Sequence, residues 1–268
     1  YHSQGKLEEA VREYQESLKI DPNYAGAHNN LGRAYVDQGK LEEAIEEYHQ
    51  ALKINPNLAE PRNNLLNAIQ LKLAKAAAKY SETLSINPED AEAHYSLGAA
   101  YQLQGNLAEA ITEYRQALRI NPNYADVHNN LGTIYATQGK LAEAIAEYME
   151  TLRINPYLGM AHTNLGLAYY GKGKLAEAIS EYNEAIQINP NDDLAHSNLG
   201  TVYYDQREFA KAIAEYRQAL RINPNLPVAH HNLGLVYQAQ DKFKEAIECF
   251  QTFLQIIPSG TYPREVKQ

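Results

Sequence analysis

Two residue types recur at a spacing that could do chemistry. Histidine stands at His28, His94, His128, His162, His196 and His230, with 34 residues between neighbours from His94 onward. Two places further along stand Asn30, Asn64, Asn130, Asn164, Asn198 and Asn232, and Ser96 fills the one gap in the row. Regular imidazoles suggest a metal site. Ligands must lie about 2.0–2.1 Å from a shared ion, whereas side chains one per packed helix stand about 8–10 Å apart. No metal site and no cofactor is therefore expected, and the histidines read as space-filling residues. Paired acids such as Glu8-Glu9, Glu42-Glu43 and Glu46-Glu47 could act as acid and base. They fall opposite an aliphatic stripe, which makes them a solvated face. The single cysteine, Cys249, has no catalytic pattern around it, and no glycine-rich phosphate loop or nucleophile elbow occurs. Catalytic residues are none, and the chain reads as a non-enzyme. A carboxamide is different, because it offers both a donor and an acceptor to a peptide backbone.

Composition narrows the partners. Asp and Glu number 33 against 24 Lys and Arg, a formal charge of -9. That balance argues against nucleic acid and against an anionic lipid surface. No run of about 18 apolar residues occurs, so membrane insertion is not expected. No leader is visible, which makes a cytoplasmic location the expectation, although the chain opens in mid-repeat.

These residues must be positioned by a repeated element. Pro122, Pro156, Pro190, Pro224 and Pro258 lie 34 residues apart, and Pro22 and Pro56 keep the same step. A period of this size means stacked units that touch only their neighbours. With Ala125 as position 1, a partial unit covers 1–24, and units follow at 25–58, 59–90, 91–124, 125–158, 159–192, 193–226 and 227–258, with a polar tail at 259–268. Positions 1–14 and 17–30 lack interior proline and carry apolar residues at helical spacing. Gly139 at position 15 suits the left-handed residue that ends a helix. Asn155-Pro156 stops the second helix. Each unit is a helix–turn–helix.

The set Leu131, Gly132, Tyr135, Ala144, Tyr148 and Pro156 recurs in phase as Leu97, Gly98, Tyr101, Ala110, Tyr114 and Pro122. This pattern closely resembles the tetratricopeptide repeat. The resemblance implies an all-α fold, a right-handed superhelical α-solenoid, with first helices lining a concave groove. It implies a protein or peptide ligand in that groove. Projected at about 100° per residue, positions 2, 6, 9 and 13 share the groove side. The groove candidates are the six asparagines with Leu167, Tyr170, Tyr204 and Leu235. The array of the O-linked N-acetylglucosamine transferase family has a similar inward row of asparagines for peptides. Two roles stay open for the row: holding a ligand, or bonding neighbouring repeats. The basic residues of a carboxylate clamp are missing at positions 2 and 5. A binding scaffold is the leading reading. A substrate-selecting arm of a larger enzyme such as a glycosyltransferase, and a self-assembly module, are the alternatives.

The copy at 59–90 is two residues short, and its Gln-Gly turn is missing. Its position 8 is Leu66, not glycine, and Leu65, Ile69, Leu73, Ala76, Tyr80 and Leu84 form one stripe. Two readings stand. One is a continuous helix of about 26 residues, roughly 40 Å long, which splits the array there. A homodimer by segment exchange would then form, with Leu65, Leu66, Ile69, Leu71 and Leu73 at its contact. The other is a tightened turn near Leu71-Lys72 in a monomer.

Overall fold

A computed structural model describes residues 6–257; the polar tail at 259–268 lies outside the described residues. Fourteen helices and no strand occur among them. They are α1 (Leu7–Ile20), α2 (Ala25–Asp37), α3 (Leu41–Ile54), α4 (Ala59–Ile86), α5 (Ala91–Gln104), α6 (Leu107–Ile120) and α7 (Ala125–Thr137). The series continues with α8 (Leu141–Ile154), α9 (Gly159–Gly171), α10 (Leu175–Ile188), α11 (Asp193–Asp205), α12 (Phe209–Ile222), α13 (Pro227–Ala239) and α14 (Phe243–Ile256). The fold is all-α and built of helical repeats.

Backbone chemistry at position 15 makes each hairpin. Gly39, Gly105, Gly139 and Gly173 take φ of 73 to 83°, the left-handed region where a β-carbon is penalised. The next amide then reaches back five residues, as in Lys140 N–H to the Tyr135 carbonyl at 2.9 Å. Arg207 and Asp241 adopt the same angle, φ 60° and 59°, at the turns of the last two copies. Second helices end on asparagine, whose Oδ1 accepts the N–H two residues on, as from Asn155 to Tyr157 at 3.2 Å.

A tyrosine on a glycine seals each pair. A β-carbon on Gly32, Gly98, Gly132, Gly166 or Gly200 would fall 2.6–2.9 Å from a ring carbon of Tyr48, Tyr114, Tyr148, Tyr182 or Tyr216. Phe250 covers Gly234 in the same way at 2.6 Å. These tyrosines are buried, as are the alanines Ala44, Ala110, Ala144, Ala178 and Ala212 one turn before them.

The copy at 59–90 is one helix, α4, of 28 residues. Deletion removed the left-handed residue the turn needs, and Leu66 occupies the place where a tyrosine ring would lie. The continuous helix does not divide the chain, contrary to the expectation from sequence. Its first half packs Leu65 and Ala68 with Ala44 and Tyr48 of the second repeat. Its second half packs Ala77, Tyr80 and Leu84 on Leu97 and Ala100 of α5. An exposed ion pair, Lys72–Glu42 at 3.1 Å, adds a tie to α3. The chain instead forms two compact units, one ending at Ile120 and the next beginning at Asn121.

The glycine rule sets a contrast. Gly166→Ala should cost about 1–3 kcal/mol, because the Tyr182 ring must move. Leu66→Ala, at the matching place in α4, should stay within about 0.5 kcal/mol. Urea unfolding of both variants measures this; equal losses would remove the ring contact as the reason for glycine.

Candidate functional site

In the unit beginning at Asn121, the first helices α7, α9, α11 and α13 bury positions 3, 7 and 10 and leave another side open. That side carries four exposed apolar residues: Met160 (64%), Leu167 (52%), Leu194 (52%) and Val228 (46%). Leu235 is half-buried on the same side. Asp126 and Asp205 are exposed there too, and positions 2, 6, 9 and 13 of these helices hold no lysine or arginine.

The asparagines are all half-buried, and several are already engaged within the stack. Asn164 donates Nδ2 to Asn129 Oδ1 at 3.3 Å, and Asn232 donates to Thr201 Oγ1 at 3.3 Å. In the other unit Asn64 donates to Asn29 Oδ1 at 3.0 Å. For these three the donor half of the carboxamide joins adjacent repeats; the acceptor Oδ1 of Asn232 also lies 3.2 Å from His231 Nδ1. Asn130 also has a partner. Asn30 and Asn198 complete the row with no side-chain hydrogen bond to another described residue. Asn64 further lines a cavity of 340 Å³ with Arg33, Asp37, Tyr48, Asn67 and Leu71.

The two tyrosines are largely spent on the stack. Tyr170 donates its hydroxyl to Asp205 Oδ2 at 2.7 Å, and that bond, with burial and the carboxylate charge, pushes its pKa up to about 12. Tyr204 is half-buried with its ring 6.0 Å from that of Phe209. In α4, Leu65, Ile69 and Leu73 are half-buried, while Leu66 (55%) and Leu71 (42%) are exposed.

The histidines do more than fill space. Nδ1 of His28, His94, His128, His162 and His196 lies 2.6–2.7 Å from Oε2 of Glu47, Glu113, Glu147, Glu181 and Glu215. Nε2 of each faces the carbonyl of the proline ending the preceding repeat, at 3.1–3.3 Å. Glu47, read as part of a solvated acidic pair, is therefore a half-buried partner of His28. The signal was present as a His-to-Glu spacing of 19 repeated five times. It was missed because the two residues sit on different helices. Cys249 holds the glutamate place in the last copy, is half-buried, and burial raises its thiol pKa.

One hydroxyl is orphaned. Tyr148 and Tyr216 donate to Thr133 and Thr201 at position 9, at 3.3 and 3.0 Å. In the copy of Tyr182 position 9 is Leu167, which has no acceptor, and the buried hydroxyl has no partner. Burial pushes its pKa well above the usual tyrosine range. Among the described residues no group of three or more His, Cys, Asp or Glu could hold a metal ion. No described helix is long and apolar enough to cross a membrane.

A family model described as TPR repeat matches residues 1–36, 32–71, 70–105, 103–139, 132–173, 166–207 and 200–241. A second, described as tetratricopeptide repeat, matches 227–259. No curated protein matches the sequence significantly. Among solved structures, MamA is similar at 27% identity and TM-score 0.55, over 60% of this chain and 94% of that one. YrrB, titled a TPR protein with an unusual peptide-binding site, is similar at 20% identity and TM-score 0.57, over 69% and 95%. PilF of Pseudomonas aeruginosa is similar at 20% identity and TM-score 0.60, over 91% and 96%.

The orphaned hydroxyl makes a prediction. Leu167→Thr supplies an acceptor and Tyr182→Phe removes the donor, so each should stabilise the protein by about 0.5–1.5 kcal/mol. Thermal and urea unfolding would read the gain; if both variants lose stability, the hydroxyl is not a liability.

Proposed function

Because the chain belongs to the tetratricopeptide repeat family, we propose that it is a non-catalytic scaffold that holds a protein segment against its first helices. The coarser part, a protein-interaction role, follows from the family. The finer part is the place: the open side of α9, α11 and α13. The observation that carries it is the four exposed apolar side chains Met160 and Leu167 of α9, Leu194 of α11 and Val228 of α13. Exposed large apolar residues gathered on one side of successive first helices are what a contact site presents. The carboxamides beside it, Asn164 and Asn198, still offer Oδ1 acceptors to the N–H groups of an extended segment. Tight capture by such a surface is dominated by a few central contacts.

The test selects peptides from a random displayed library on the immobilised protein. The double variant Met160→Asp/Leu194→Asp should weaken the selected peptides by roughly 10-fold or more, with the melting temperature nearly unchanged. Asn198→Ala is the cleaner probe of the row, since it removes no hydrogen bond from the stack. Unchanged affinities in both variants would sink this reading.

A second reading concerns self-association. In α4, Leu66 and Leu71 are exposed, and Ala76 and Tyr80 lack the cover that buries Ala144 and Tyr148 in a regular copy. We propose that a second copy covers this face. Light scattering at micromolar concentration should give a dimer, and Leu66→Asp a monomer. A wild-type monomer would dismiss it.

A further inference from the structure

The imidazole of each regular repeat ties three elements together. It sits on a first helix, contacts a glutamate of its own second helix, and contacts the carbonyl that ends the preceding repeat. A carbonyl only accepts, so Nε2 must carry a proton. Nδ1 then faces a carboxylate oxygen at 2.6–2.7 Å, a distance that two unprotonated acceptors cannot share. A proton between ring and carboxylate completes the contact, and for His128 and His162 the raised pKa agrees with it. We propose that the His128–Glu147 and His162–Glu181 pairs are proton-dependent latches that tie each first helix to the turn before it and slacken as the proton is lost.

Two other copies act as internal comparisons. In the last repeat Cys249 replaces the glutamate, and His230 keeps the carbonyl contact with Pro224 at 2.9 Å. In α4 the histidine place is Arg62, which donates Nη2 to the Pro56 carbonyl at 2.6 Å. A donor meets the proline carbonyl in all seven copies, and in five of them the same imidazole also meets a glutamate.

His128 and His162 each face a second acid. His128 on α7 faces Glu147 and Glu150 of α8 and the Pro122 carbonyl of the turn, and Arg153 of α8 is held by Glu150 at 2.8 Å. His162 on α9 faces Glu181 and Glu184 of α10 and the Pro156 carbonyl. The other three His–Glu pairs have Gln50, Gln116 and Gln218 in place of that second acid. Burial pulls the His128 pKa down, but its bonds to Glu147 and Pro122 and the two acidic charges leave it raised. The Glu181 bond leads the raising of His162, against an opposing burial. A histidine raised in the folded state stabilises fully below its unfolded value of about 6.5, and that contribution disappears as pH climbs through the folded value.

The experiment uses the whole chain. Histidine ring NMR should place the midpoints of His128 and His162 above about 6.5, and Glu147→Gln should lower His128 while leaving His162 in place. The melting temperature of the wild type should fall by a few °C between pH 6 and pH 8.5. Glutamine can donate to the neutral ring, so Glu147→Gln/Glu181→Gln should start lower at pH 6 and vary less with pH. Midpoints at or below the ordinary value, or a double variant with the wild-type pH profile, would overturn the latch. If the double variant does not fold, the titration of the wild type and of Glu147→Gln decides.

Discussion

The contact on which the rest depends is a tyrosine ring lying on a glycine. In a regular repeat the ring leaves no room for even a methyl group at the first helix, so the two helices are held at one distance and one angle. Glycine in mid-helix is intrinsically costly, by about 1 kcal/mol relative to alanine. It is retained because the buried ring contributes more than that. Everything facing outward from the pair, including the carboxamides and the apolar residues of α9, α11 and α13, inherits its position from this contact.

The copy at 59–90 shows what happens when it is removed. Leu66 bars the ring, and no left-handed residue remains at the turn, so both devices that make a hairpin are lost together. A helix needs neither, and α4 runs through. Its two halves still behave as a first and a second helix toward their neighbours, since Ala68 is buried against one side and Ala77 against the other. That is why the chain stays compact across the anomaly. What is lost is the internal seam, and Leu66, Ala76 and Tyr80 are left less covered than their counterparts.

The sequence was most legible where the physics is local. The period, the glycine at the turn, the Asn-Pro stop and the buried face of each helix follow from spacing and backbone preference, and they appear in the structure. The unbroken stripe of 59–90 was also readable, because helical phase is a local property. What was hidden involves residues brought together from different helices. The His–Glu pairs needed a spacing of 19 to be compared across copies, and Glu47 was mistaken for a solvated acid. The use of Asn64, Asn164 and Asn232 as donors to the preceding repeat depends on how closely first helices approach. The division after Ile120 has no marker in the local pattern.

Position 9 shows the demands of stack and surface competing within one residue. Thr133 and Thr201 turn inward and accept the tyrosine hydroxyl beneath them. Leu167 does neither. It leaves Tyr182 with a buried, unpartnered hydroxyl and places an apolar side chain in water. Each of these is unfavourable for the isolated chain, by about 1–3 kcal/mol for the orphaned group alone. A stack selected only for stability would carry threonine here, as its neighbours do. The exposed face of that leucine, with Met160 on the same helix and Leu194 on the next first helix, is where the proposed partner would offset these costs. In that proposal, the places where this chain departs from its own best-packed repeat are the places that face a partner.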